Sequence, residues 1–200
     1  MTTSIIVESK NHPMLLNSSM IAQNIKINLG IKDWAVHAYE AQNTDSAPTS
    51  EQIEAGLQHE YKRVRKAWAE RMDWTPTPEQ IERGLTDTSS DVRWAWAKRL
   101  DYTPTPEQIE RGLTDDEFVR IAFARRQDYT PTPEQIDRGI TDPNLFVAKA
   151  WLLRNDIVWT KEHIEKGLLH PHKLIREAWE SILQRQNADN TDFYESISVL

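Results

Sequence analysis

A segment of eleven residues, Thr77-Pro78-Glu79-Gln80-Ile81-Glu82-Arg83-Gly84-Leu85-Thr86-Asp87, occurs twice without a change in this chain, the second time as Thr105 to Asp115. A third copy, Thr132 to Asp142, differs only at Asp137 and Ile140, and degraded copies begin at Thr49 and Thr160. The glycines of the five copies, Gly56, Gly84, Gly112, Gly139 and Gly167, are spaced by 28, 28, 27 and 28 residues. A fainter copy, Ile27 to Asp33, precedes them. Between the copies runs a second motif, Val64-Arg65-Lys66-Ala67-Trp68, with successors starting at Val92, Val119, Val147 and Ile175. Self-similarity at one period means a repeat architecture, in which each unit covers the apolar face of the next.

Each period reads as two helices. In the second motif Val92, Ala95, Trp96 and Arg99 stand at i, i+3, i+4 and i+7, one helical stripe closed by an arginine. This helix A is expected to run about 12 residues. Asp87, Asp115, Asp142 and His170 are placed as its N-caps, with Pro143 and Pro171 at the first helical position. Helix B begins at Thr-Pro-Glu-Gln: Thr105 caps, Pro106 takes the first turn, and Gln108 closes a capping box. The Tyr102-Thr103-Pro104 linker stops helix A, because proline lacks an N–H and restricts the residue before it. The expected fold is all-α, a short right-handed α-solenoid of about five 28-residue two-helix repeats. The repeats span 33–186. Residues 1–32 form a capping segment with a degenerate half-repeat, and the polar tail 187–200 is either disordered or a terminal cap.

On these motifs, and above all the Asp…Val-Arg…Ala start of helix A, the unit resembles the HEAT-like α-helical repeats of bacterial and phage proteins. It is loosely similar to their shorter variant leucine-rich repeats. The resemblance covers about residues 33 to 183 and implies a scaffold fold rather than an activity.

The remaining columns divide into structure and surface. Trp68, Trp96, Phe123, Trp151 and Trp179 read as core, since burying each removes roughly 150–250 Å² from water. A glycine inside a helix costs about 1 kcal/mol against alanine, so the glycine column predicts a close helix approach, with termination at C′ as the competitor. Arg71, Arg99, Arg126 and Arg154 close the apolar stripe; capping carbonyls, stacking on tryptophan or pairing with Asp73, Asp101, Asp128 and Asp156 would each explain them.

Two charged ridges remain as candidate partner-binding surfaces. On the outward face of helix A stand Arg65, Arg93, Lys98 and Arg120, continued by Arg125 and Lys149. Trp94, flanked by Arg93, Lys98 and Ile121, breaks this basic ridge as an apolar anchor, and is either an interface hot spot or shielded by the next helix A. Arg93 and Arg120 are expected to face solvent. The alternative acidic face, on helix B, comprises Glu79, Glu82 and Glu107 with Glu110, Glu134 and Asp137.

Chemistry of other kinds finds little footing. The chain has no cysteine, which excludes disulfides, thiolate metal sites and cysteine nucleophiles and suits a reducing cytoplasm. No phosphate loop, GxSxG or HExxH occurs, no catalytic residue is assigned, and no cofactor or metal is expected. The six histidines are scattered; His163, His170 and His172 could be gathered around a metal, but His170 and His163 fall in repeat slots. Carboxylates recur in every unit, whereas a catalytic pair should be a departure from the repeat. No apolar run reaches a membrane span, and Ser198-Val199-Leu200 matches a PDZ-type terminal ligand only in three residues. The reading is therefore a non-enzymatic protein-binding scaffold, an adaptor or inhibitor. The alternative is a nucleic-acid-binding or DNA-repair protein, similar to the HEAT-like alkylpurine glycosylases in having helical repeats, with no catalytic motif matched. A net charge of −7 disfavours that alternative.

Overall fold

The computed structural model describes residues 6–7, 14–15, 41 and 47–198, with the side chains of 41 and 47–186. The faint copy Ile27 to Asp33, most of the N-terminal segment, and Val199 and Leu200 of the tail lie outside the described residues. The chain forms two compact units, Met1–Tyr102 and Thr103–Leu200.

Among the described residues, the first unit holds a minimal antiparallel ladder, β1 (Ile6–Val7) on β2 (Met14–Leu15), and four delimited helices. These are α1 (Ser50–Leu57), α2 (Lys62–Ala69), α3 (Pro78–Leu85) and α4 (Ser90–Ala97). The second unit holds α5 (Pro106–Gly112), α6 (Glu117–Arg125), α7 (Pro133–Ile140), α8 (Leu145–Leu152), α9 (Lys161–Leu168) and α10 (Lys173–Ser198). Odd-numbered helices are helix B and even-numbered ones helix A. Within each unit a helix A packs on its own helix B and on the helix A of the neighbouring repeat: α4 on α3 and α2, α8 on α7 and α6. The all-helical class and the two-helix repeat are as expected. The last helix carries a helical backbone as far as Ser198.

Helix B starts where the sequence places it. Thr49, Thr77, Thr105, Thr132 and Thr160 each cap a helix with a complete capping box, closed by glutamine in the first four and by His163 in the last. Two of the orphan N–H groups at each helix start are satisfied this way.

Helix A differs from expectation. It is eight or nine residues long in α2, α4, α6 and α8, and the aspartate column is not its N-cap. The cap positions are Ser89, Asp116 and Asn144. Asp87 and Asp142 sit two residues earlier, where each carboxylate accepts from the backbone N–H of the cap residue at 2.8 Å. The same carboxylates receive an arginine from the preceding repeat: Arg65 on Asp87 at 2.7 and 2.8 Å, Arg120 on Asp142 at 2.9 and 3.2 Å. An aspartate holding both groups fixes the turn, and the helix starts after it. Pro143 consequently precedes the cap rather than opening the helix. At the next junction the arginine position holds Ala148 and the aspartate position His170, both buried. Loss of the cation coincides with loss of the carboxylate that received it, which is what an unpaired buried charge would require.

The core is built on a glycine–aromatic contact repeated in each unit. A Cβ added to Gly84 would stand 2.2 Å from Trp96 Nε1, and one added to Gly112 would stand 2.1 Å from Phe123 Cδ2. Gly56, Gly139 and Gly167 meet Trp68, Trp151 and Trp179 in the same way. The glycines lie within or at the last residue of their helices, so close approach and not helix termination explains the column. Trp96, Phe123, Trp151 and Trp179 are fully buried, as the core reading required.

The stripe arginines join one repeat to the next. Arg99 Nη1 donates to Ala69 O at 2.9 Å and Arg71 O at 2.5 Å, and Nη2 donates to Trp74 O at 3.1 Å. Its Nε and Nη2 also hold Asp101 at 3.0 and 2.5 Å. Arg154 repeats the set on Ala124 O, Arg126 O, Tyr129 O and Asp156. Ala69 closes α2 and Ala124 is the second-last residue of α6, so these are carbonyls without an intrahelical partner. Arg99 lies over both the Trp74 and Trp96 rings, at 4.7 and 5.3 Å. Capping, stacking and pairing thus all operate at once, and the carbonyls capped belong to the preceding repeat. Against this cluster, burial pushes the Tyr129 phenol up to about 12, while its Oη donates to Phe123 O at 3.1 Å.

Candidate partner-binding surface

Helix A turns one face outward at three positions, i, i+3 and i+7: the first and third are exposed in each copy, and the middle one is half-buried in Lys66, Trp94 and Ile121 and exposed in Lys149 and Glu177. In the first unit these positions hold Arg63, Lys66 and Glu70 on α2, and Asp91, Trp94 and Lys98 on α4. In the second unit they hold Phe118, Ile121 and Arg125 on α6, and Phe146, Lys149 and Leu153 on α8. Leu174, Glu177 and Ser181 occupy them on α10.

Much of the basic ridge expected on this surface is engaged inside the protein. Arg65 is half-buried; besides Asp87 it donates to His59 O and Glu60 O at 2.8 and 3.0 Å, and the Asp87 hydrogen bond raises its pKa. Arg93, expected to face solvent, is half-buried and donates to Asp87 O at 2.7 Å. Arg120, given the same expectation, is half-buried on Asp142 and Asp115 O. The physical reason is reach: a guanidinium one turn into helix A is long enough to fork onto the turn that leads into the next one. Trp94 is half-buried, with Nζ of Lys98 on its own helix 4.0 Å from its ring and Nζ of Lys66 on the preceding helix A 5.0 Å away. Arg120→Glu is accordingly expected to cost about 2 kcal/mol or more, by placing a second carboxylate against Asp142. Chemical denaturation that leaves this variant as stable as the parent would remove Arg120 from the junction.

Arg125 and Lys149 are different. Both are exposed, and neither side chain has a hydrogen-bond or ion-pair partner among the described residues. Ile121, one turn before Arg125 on α6, is half-buried.

Part of the acidic face is a second set of inter-repeat ties, which begins with Glu54 of the preceding helix B. Glu54 accepts from Gln80 at 2.6 Å and Arg83 at 2.8 Å, and these donors, led by the Gln80 amide, hold its carboxyl below the usual value. Glu110 receives Arg138 at 2.9 Å and Gln135 at 3.1 Å, with the arginine lowering its pKa most. Asp137 pairs with Lys166 at 2.6 Å and raises the lysine pKa. Glu82 is exposed and also engaged. Glu79, Glu107 and Glu134 are exposed in the first turn of helix B, where the dipole favours them. Their own backbone N–H groups hold the Glu79 and Glu107 carboxyls below the usual value.

A signal the sequence reading missed lies in the position just before the valine column. It holds Arg63 and Asp91 in the first unit, then Phe118, Phe146 and Leu174 in the second. These three, with Leu153, are from 55% to 64% exposed. Reading that column down the repeats would have shown the change from charged to apolar.

Other features carry less. A groove of about 260 Å³ in the first unit is lined by Ala69, Glu70, Met72, Ala95, Lys98 and Arg99, but the donors of Arg99 are already occupied. Among the described residues no three His, Asp or Glu are grouped to hold a metal. His163 Nδ1 serves the Thr160 cap, a ring nitrogen of His170 lies 2.9 Å from Asp142 O, and one of His172 lies 3.1 Å from Pro143 O. Among the same residues no helix is long and apolar enough to cross a membrane. Compared with family models, with curated proteins and with solved structures, the chain matches none.

Proposed function

We propose that this chain is a non-enzymatic scaffold of HEAT-like helical repeats, working in the cytoplasm, that binds a protein partner on the outer face of α6, α8 and α10. The observation that carries the reading is the run of exposed apolar side chains Phe118, Phe146, Leu153 and Leu174 on three consecutive packed helices. Isolated exposed leucines need no explanation, whereas large apolar groups gathered at corresponding positions of adjacent repeats mark a contact surface. The equivalent positions of the first unit carry Arg63, Asp91 and Glu70, so the fold does not demand apolar residues there. Engagement of Arg65 and Arg120 within the protein removes much of the phosphate-tracking ridge on which the nucleic-acid alternative depended.

Phe146→Asp tests the reading. Because Phe146 is 62% exposed, the variant is expected to keep its helical circular dichroism and melting temperature. A pull-down from lysate of the source cells should recover a protein with the parent and lose it with the variant, with nuclease treatment making no difference. Equal recovery by the variant, or recovery abolished by nuclease, sinks the proposal. Leu153→Ala should weaken the same capture by about 1 kcal/mol or more.

A further inference from the structure

Resting on that docking surface, we propose that its occupant is an amphipathic α-helix lying across α6, α8 and α10, with acidic residues along one flank of its apolar stripe. The spacing argues for a helix. Phe118, Phe146 and Leu174 hold the same position on three side-by-side helices, and packed helices lie about 8–10 Å apart. A helix crossing them advances about 10.5 Å in seven residues and returns to nearly the same face, so residues i, i+7 and i+14 meet the three anchors in turn. An extended strand covers the same interval in about three residues, and its successive side chains then fall on opposite faces. One apolar residue per heptad fits the row; strand alternation does not.

The charges fix the flank. Lys149 lies one turn from Phe146 toward the C-terminus of α8, and Arg125 lies two turns from Phe118 toward the C-terminus of α6. Both cations are exposed and unpaired among the described residues, so a carboxylate brought to that side of the row meets them without breaking an existing pair. On α10 the corresponding ground is neutralised, because Lys173 pairs with Glu177 at 3.2 Å. Acidic residues are therefore called for opposite α6 and α8 and not opposite α10.

The test is a selection on the whole protein. Random peptides of about 21 residues, three heptads long, are displayed on phage, selected on the parent and counter-selected on Phe146→Asp. The expected winners repeat an apolar residue every seventh position and carry Asp or Glu on one flank. A synthesised winner should bind Arg125→Glu/Lys149→Glu at least about tenfold more weakly than the parent, and its Glu-to-Lys counterpart should recover binding to that reversed protein. Winners with alternating or basic sequences overturn the proposal. So does indifference to the charge reversal, or the absence of any winner that tells Phe146→Asp from the parent. Sedimentation showing a parent dimer that Phe146→Asp dissociates also overturns it, since the occupant is then a second copy. Failure of the surface itself reads differently: the lysate partner is then captured equally by Phe146→Asp.

Discussion

Arg99→Met is expected to lower the stability of the protein by about 3–5 kcal/mol, measured as a shift in urea unfolding followed by tryptophan fluorescence. Arg99 is only 2% exposed, and its guanidinium serves Ala69 O, Arg71 O, Trp74 O and the carboxylate of Asp101 together. Methionine preserves much of the volume but leaves a carboxylate and three carbonyls without their donor. Each buried orphan carries a desolvation cost of about 1–3 kcal/mol. Arg99→Lys should fall between the two, because a single ammonium cannot fork onto an aspartate and a helix end at once. Arg99→Met/Asp101→Asn should recover part of the loss by removing the orphaned charge. A loss under about 1 kcal/mol in Arg99→Met would mean that packing on Trp74 and Trp96, and not hydrogen bonding, holds the repeats together.

Gly84→Ala is expected to destabilise by about 2 kcal/mol or more, against the usual direction of the change. In an open helix alanine is favoured over glycine by about 1 kcal/mol. Here the new Cβ would lie 2.2 to 2.3 Å from three atoms of the Trp96 indole, itself buried between helices. The ring must move or α3 and α4 must separate, and overpacking of this kind typically costs about 1–3 kcal/mol. Gly112→Val, facing Phe123 at 2.1 Å, should cost at least as much. Trimming the obstruction is the control: in a Trp96→Leu background the Gly84→Ala penalty should shrink or vanish. If Gly84→Ala stabilises the protein, or the penalty persists without the indole, the glycine–aromatic contact does not set the helix spacing.

Which parts of this arrangement were legible beforehand follows the range of the interactions. Thr-Pro-Glu-Gln announces the start of helix B because a capping box links residues only three apart. The period-28 glycine column and the aromatic column announce a packed two-helix unit because both are repeated in register. The aspartate column was misread as a cap, since an aspartate before an apolar stripe carries that local signal whether or not an arginine 22 residues earlier claims it. Arg93 and Arg120 were read as solvent-facing for the same reason.

Sequence alone thus determined the repeat, the two helices in it, and the residues forming the core, because capping, helical periodicity and burial of large aromatics act within one unit. Only the tertiary structure decided which cations remain available and where apolar surface is left uncovered. Arg65 and Arg125 are the same residue type on helices A of different repeats, yet Arg65 is locked onto Asp87 and the Arg125 side chain stands exposed and unpaired among the described residues. Exposure is set by what the neighbouring repeat brings within reach, and partners 22 to 30 residues apart meet only when the helices stack.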